Sequence, residues 1–138
     1  MIQPVDGQLH WNPRQQRESK RSEEAVTSWR YAILESDKVP ASDWLKILVQ
    51  LPVRIVAIYS SGGSSVHALV HIDASSKSEW DAALRTKVLP VLSLLGADPG
   101  SLTAVRLSRL PNCMRGQTGE LQELYYLNPQ PEAQPLLS

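Results

Sequence analysis

Phenylalanine is missing from this chain altogether, and there is a single cysteine, Cys113. One cysteine excludes an intrachain disulfide and makes a cysteine-built zinc centre implausible. Net charge is missing as well, because 14 basic residues cancel 14 acidic ones. Any hold on a nucleic acid must then come from a local cluster of arginines and not from a global field. No apolar run reaches membrane-spanning length, and the polar opening Met1-Ile2-Gln3-Pro4 lacks the apolar core of a signal peptide. The expectation is a cytoplasmic protein with no membrane partner.

The 138 residues suit one domain, and 42% hydrophobic residues supply an ordinary core. Residues 1–22 are polar, with the run Arg14-Gln15-Gln16-Arg17-Glu18-Ser19-Lys20-Arg21 holding nothing to bury, and read as a flexible arm. Residues 23–129 form the domain, and 130–138 a flexible tail. Ser22-Glu23-Glu24 can cap a short helix through about Trp29. Tyr31 to Asp37 reads as a strand with Ala32 and Leu34 on one face and Tyr31, Ile33, Glu35 and Asp37 on the other. Two carboxylates therefore end that strand side by side.

Ala41 to Leu51 spaces Trp44, Leu45, Leu48 and Val49 as a helix, capped by Ser42 or Asp43. Val53 to Tyr59 is a buried strand, and Gly62-Gly63 turns it back. From Ser65 to Asp73 the even positions Val66, Ala68, Val70 and Ile72 are apolar and the odd ones mostly polar, the alternation of a half-buried strand. Asp73-Ala74-Ser75-Ser76 caps a helix through Trp80, Leu84 and Val88 that bends at Pro90 and stops at Gly96. Asp73 itself is assigned to the cap. Leu102 to Arg109 and Leu121 to Leu127 are the last strands.

Strand, helix, strand, strand, helix, strand is the order of an α+β, ferredoxin-like βαββαβ sheet, the layout of RNA-recognition motifs, with helices on one face and here an extra C-terminal strand. In that layout the first and third strands are antiparallel neighbours, and the fourth lies on the first strand's other side. Glu35 and Asp37 at the end of the first, Ser65 and His67 at the start of the third, and Asp98 before the fourth then converge on one edge. Three carboxylates there suit Mg²⁺ or Mn²⁺, whose oxygen ligands leave positions open for phosphate. Two such ions are what nucleotidyl transfer requires. Asp73 shares the face of His67 but lies six residues on, roughly 20 Å away.

Glu35-Ser36-Asp37 closing an apolar strand, then Ser65-Val66-His67 after Ser61-Gly62-Gly63, then an acidic residue about thirty positions on, resembles the three-motif signature of the archaeo-eukaryotic primase superfamily. The similarity is greatest to the primase-polymerases of phages, plasmids and other mobile elements. Arg106-Leu107-Ser108-Arg109-Leu110-Pro111, Arg115 and Leu124-Tyr125-Tyr126-Leu127-Asn128-Pro129 resemble the end of that catalytic domain.

The resemblance implies a DNA primase or primase-polymerase using nucleoside triphosphates on a single-stranded DNA template, in a bacterium or phage-infected host. It implies metal ligation and catalysis by Glu35, Asp37 and Asp98. Gly62, Gly63, Ser65 and His67 would bind nucleotide, and Arg106 and Arg109 would meet phosphates. The chain departs from the family pattern at Glu35, where Asp is usual, at Ser64, where a basic residue is common, and at Asn112, where glycine is frequent. Family members usually carry more chain, so this is a minimal enzyme or a module working with a separate replicative helicase.

Two other functions are compatible with the same fold. A rolling-circle initiator would need a metal-bound histidine pair, and His67 and His71 are about 13 Å apart along a strand, too far to share one ion. A non-catalytic RNA-recognition-like module would stack bases on sheet aromatics, and the central strand offers none.

Overall fold

The computed structural model describes residues 2–51, 53–95, 102–103, 108, 111–117 and 119–130. Its sheet is organised by the alternation in residues 65–73. β5 (Val66–Ala74) pairs antiparallel with β3 (Trp29–Leu34) on one side and β4 (Ile55–Ser60) on the other. β6 (Leu124–Leu127) adds antiparallel to the far edge of β4, giving the order β3-β5-β4-β6. Val66, Ala68, Val70 and Ile72 of β5 join Ala32 and Leu34 of β3 and Ile55 and Ile58 of β4 in one buried cluster.

Both long helices cover that apolar face. α1 (Ala41–Leu48) drives Trp44 and Leu48, each fully buried, into the cluster, and the Trp44 indole donates to the Val66 carbonyl at 3.2 Å. That bond lets a large indole be buried without an orphaned N–H. α1 starts after Pro40 with no side-chain cap, so neither Ser42 nor Asp43 plays that part. α2 (Lys77–Ala83) buries Trp80, whose indole donates to the Tyr31 carbonyl at 3.2 Å.

α2 is capped by Ser76, whose hydroxyl accepts from the Glu79 N–H at 3.3 Å, while the Glu79 carboxylate accepts from the Ser75 N–H at 2.8 Å. Asp73 is still inside β5 and does not cap the helix. After Ala83 the helix widens into a π turn over Leu84–Val88, where the Leu89 N–H reaches back to the Leu84 carbonyl, before α3 (Leu89–Leu94). Pro90 explains the wide turn: it brings no N–H, and its ring crowds the carbonyl one turn back. The expected bend at Pro90 thus appears as a turn just upstream of it.

The polar opening differs from the flexible arm expected of it. β1 (His10–Asn12) and β2 (Arg17–Ser19) form a hairpin, closed by Asn12, whose side chain accepts from the Arg14 and Gln15 N–H groups and donates to the Arg21 carbonyl. Before it, Gln3 is 3% exposed. Its amide accepts from the Arg30 and Tyr31 N–H groups at 2.9 and 3.0 Å and donates to the Tyr31 carbonyl at 2.5 Å. An edge strand needs partners for its outward main-chain groups, and here one amide supplies them. Glu23–Ala25 is a single 3-10 turn, and Trp29 belongs to β3 instead of continuing a helix.

The chain is α+β, an antiparallel sheet with its helices on one face. Leu102, Thr103 and Ser108 are not in a strand. The rest of the expected strand at 102–109, with Arg106 and Arg109, lies outside the described residues, as do Asp98, Gly96 and most of the tail. Among the described residues β3 is an edge strand, and no helix is long and apolar enough to cross a membrane.

Candidate functional site

The β3–β5 register sets Leu34 opposite Ala68. Continued by one residue, it brings Glu35 opposite His67. The two side chains meet there, Glu35 Oε2 to His67 Nε2 at 2.6 Å, with side-chain exposures of only 7% and 10%. On the other side of β5, Tyr59 of β4 is the register partner of His67, and the rings meet edge-on with centroids 5.7 Å apart. The Tyr59 hydroxyl in turn hydrogen-bonds that of Ser108. Glu35, His67 and Tyr59 thus form a buried polar row across three strands, on the face opposite the helices. His67 Nδ1 is buried with no hydrogen-bond partner among the described residues.

Asp37 is placed differently. β3 ends at Leu34, and the buried Ser36 hydroxyl accepts from the Lys38 and Val39 N–H groups at 3.3 and 3.2 Å. A serine turn of that kind takes the chain out of extended geometry. Glu35 consequently points inward and Asp37 is exposed, so the two do not sit side by side on one strand face.

Beside this row is the β4–β5 turn. The Ser61 N–H donates to the Ser65 carbonyl at 3.0 Å, and the Ser65 hydroxyl donates to that of Ser61 at 3.0 Å. Gly62 has φ +70, a left-handed conformation that costs most residues and not glycine. A second reason for glycine here comes from far along the chain: a Cβ at Gly62 would lie 2.9 Å from both Arg115 Cβ and Gln122 Cγ. Residues 112–117 and 119–122 form a narrow loop over the turn, through Met114 bridged to Leu121 and Arg115 N–H to the Glu120 carbonyl at 2.8 Å. Gln122, 4% exposed, is a member of this corner that sequence reading missed. The Gly62-Gly63 pair was the available sign that something approaches closely.

At the other end of β5, His71 is buried, edge-on to Tyr31 with ring centroids 5.6 Å apart, and 3.7 Å from Asp73. Asp73 is mostly exposed and pairs with Arg54 at 2.5 Å. An open groove of about 360 Å³ runs along this end, lined by Ser28, Arg30, His71, Asp73, Ser75 and Glu79 among others. Its carboxylates are engaged, Asp73 by Arg54 and Glu79 by Ser75.

Of the residues expected to converge, Glu35 and His67 are in contact, Ser65 and the glycine turn adjoin them at the start of β5, Asp37 is exposed, and Asp98 lies outside the described residues. Among those residues no three acidic, histidine or cysteine side chains gather as a metal-holding group. Comparison of the chain with protein-family models, curated proteins and solved structures finds no match.

Proposed function

We propose that this chain is the catalytic core of a primase-polymerase, a template-dependent nucleotidyl transferase that extends a primer along single-stranded DNA in the replication of a phage, plasmid or other mobile element. In this reading the sheet is the RNA-recognition-like βαββαβ arrangement. The observation that carries it is the buried Glu35–His67 pair beside a glycine turn bearing the Ser61 and Ser65 hydroxyls. A carboxylate held in place by a histidine is costly to bury, and costly buried groups concentrate at working sites.

Carboxylate oxygens are the donor type that a hard divalent cation takes. Glu35 and Asp37 offer carboxylate oxygens separated by one residue, and the hydrogen bond from His67 is of the kind that orients a ligating carboxylate. Mg²⁺ or Mn²⁺ held by Glu35, Asp37 and Asp98 would activate the primer hydroxyl and steady the departing pyrophosphate. The chain's own groups do the rest. His67 holds Glu35 through Nε2, and its Nδ1, without a described partner, is the atom assigned to the nucleotide. Ser65 and the turn at Gly62-Gly63 orient the triphosphate, and Arg106 and Arg109 face phosphates of nucleotide or template. A separate replicative helicase would supply the unwound template.

One feature favours a binding module without catalysis: Tyr125 of β6 is 46% exposed, a surface aromatic of the kind that stacks on bases. Extension of a labelled primer on a DNA template with Mg²⁺ or Mn²⁺ separates the two. The primase-polymerase reading expects product from the wild type and a loss of at least a hundredfold in Asp98→Asn, about 2.7 kcal/mol of transition-state stabilisation. Tight template binding with no extension under either metal would favour the binding module.

A further inference from the structure

The cation nearest the β4–β5 turn comes from a loop some fifty residues away. A Cβ at Gly63 would lie 2.6 Å from Arg115 Nη1, so the guanidinium rests on the bare main chain of that turn. Gly63 and Ser64 are exposed, and their main-chain N–H groups donate to no described residue. Arg115 Nε is buried without a hydrogen-bond partner, and the guanidinium bonds only the neutral Gln117 side chain, at 3.3 Å, among the described residues. No described carboxylate neutralises it. A delocalised cation against outward N–H groups and two linked serine hydroxyls is a seat for an anion with several oxygens.

We propose that Arg115 forms the cationic wall of this seat and that the seat takes the terminal phosphates of a nucleoside triphosphate. The identity of the ligand rests on the nucleotidyl-transfer reading; the seat itself does not. The glycine pair follows from it, since Gly62 admits the stem of Arg115 and Gly63 admits its head. Gly63 shows no left-handed φ, and only the flexible end of Arg115 opposes a methyl group there. Gly63→Ala therefore displaces the guanidinium with little effect on the fold, whereas Gly62→Ala meets the loop's packing.

Calorimetric titration with inorganic tripolyphosphate in EDTA, where neither metal nor catalysis contributes, tests the seat. The wild type is expected to bind, Arg115→Met to bind at least tenfold more weakly, Arg115→Lys to recover part of the loss, and Gly63→Ala to fall between with an unchanged melting temperature. Wild-type affinity in Arg115→Met, or no binding by the wild type, overturns the proposal. If Arg115→Met does not fold, Gly63→Ala and Arg115→Lys decide, and unchanged affinity in both overturns it. Arg115-dependent tripolyphosphate binding in a protein that never extends a primer would leave the seat standing and remove the nucleotidyl-transfer reading. Primer extension by Arg115→Met at the wild-type rate, even at low nucleotide, would do the reverse.

Discussion

β5 carries two histidines on one face, His67 and His71, and their surroundings are close to a matched pair. Each ring is buried, each meets a tyrosine edge-on at nearly the same centroid distance, 5.7 Å for Tyr59 and 5.6 Å for Tyr31. They part over the carboxylate. At His67 the partner is Glu35, 7% exposed and 2.6 Å away; at His71 it is Asp73, 60% exposed, 3.7 Å away and already held by Arg54. A solvated carboxylate shared with an arginine costs the fold little and contributes about 0–1 kcal/mol. A desolvated one held against a buried histidine is costly to maintain. Under the proposed nucleotidyl-transfer function, chemistry is expected at the first end and not at the second.

The largest expected difference between the two ends is in activity. Glu35→Ala should abolish nucleotide incorporation, by a thousandfold or more, about 4 kcal/mol of transition-state stabilisation, whereas Asp73→Ala should stay within about twofold of wild type. Initial rates of primer extension measure both. Similar losses in the two variants would erase the distinction.

A smaller effect separates the histidines. His67→Ala should weaken nucleotide binding by about tenfold, about 1.4 kcal/mol, with template affinity nearly unchanged. His71→Ala should leave both constants alone. Fluorescence titrations with labelled nucleotide and labelled template measure them, and equal loss of both ligands in His67→Ala would mark that histidine as structural.

Stability sharpens the comparison in a direction the sequence did not suggest. Crowded carboxylates at a strand end would make Glu35→Ala neutral or stabilising, but Glu35 is paired. Its removal orphans a buried imidazole nitrogen and should cost roughly 1–3 kcal/mol, against less than about 1 kcal/mol for Asp73→Asn. Urea unfolding of the two variants checks this.

The smallest effect lies in the groove of the His71 end. Hydrogen bonds from the Ser75 hydroxyl and N–H hold the Glu79 carboxyl below its ordinary value. A lowered folded-state value means that the stabilisation is present above the ordinary carboxyl range and fades as pH falls through the lowered one. Ser75→Ala should move the Glu79 titration, followed by carboxyl NMR, back toward the ordinary value, while primer extension is unaffected.

How much of this was readable beforehand depended on what each residue answers to. Period-2 alternation and strand order were enough to bring Glu35 to His67, because register is strict wherever one face is buried. Asp37 escaped the same logic because the Ser36 hydroxyl turns the chain between the two carboxylates, a local competition with strand geometry that alternation does not see. The helix cap offered three candidates in Asp73-Ala74-Ser75-Ser76, and the spacing of Ser76 to Glu79 was the better signal. Gln3 and Arg115 act across the chain on β3 and on the glycine turn, through contacts that no local pattern announces.

The most direct test of the central contrast follows the histidine ring signals by NMR while Mg²⁺ and a non-hydrolysable nucleoside triphosphate are added, with His10 on the N-terminal hairpin as an internal reference. The account predicts that the His67 resonances move in step with nucleotide binding while those of His71 and His10 hold still. Movement of His71 with His67 unchanged would contradict it and transfer the site to the other end of the strand.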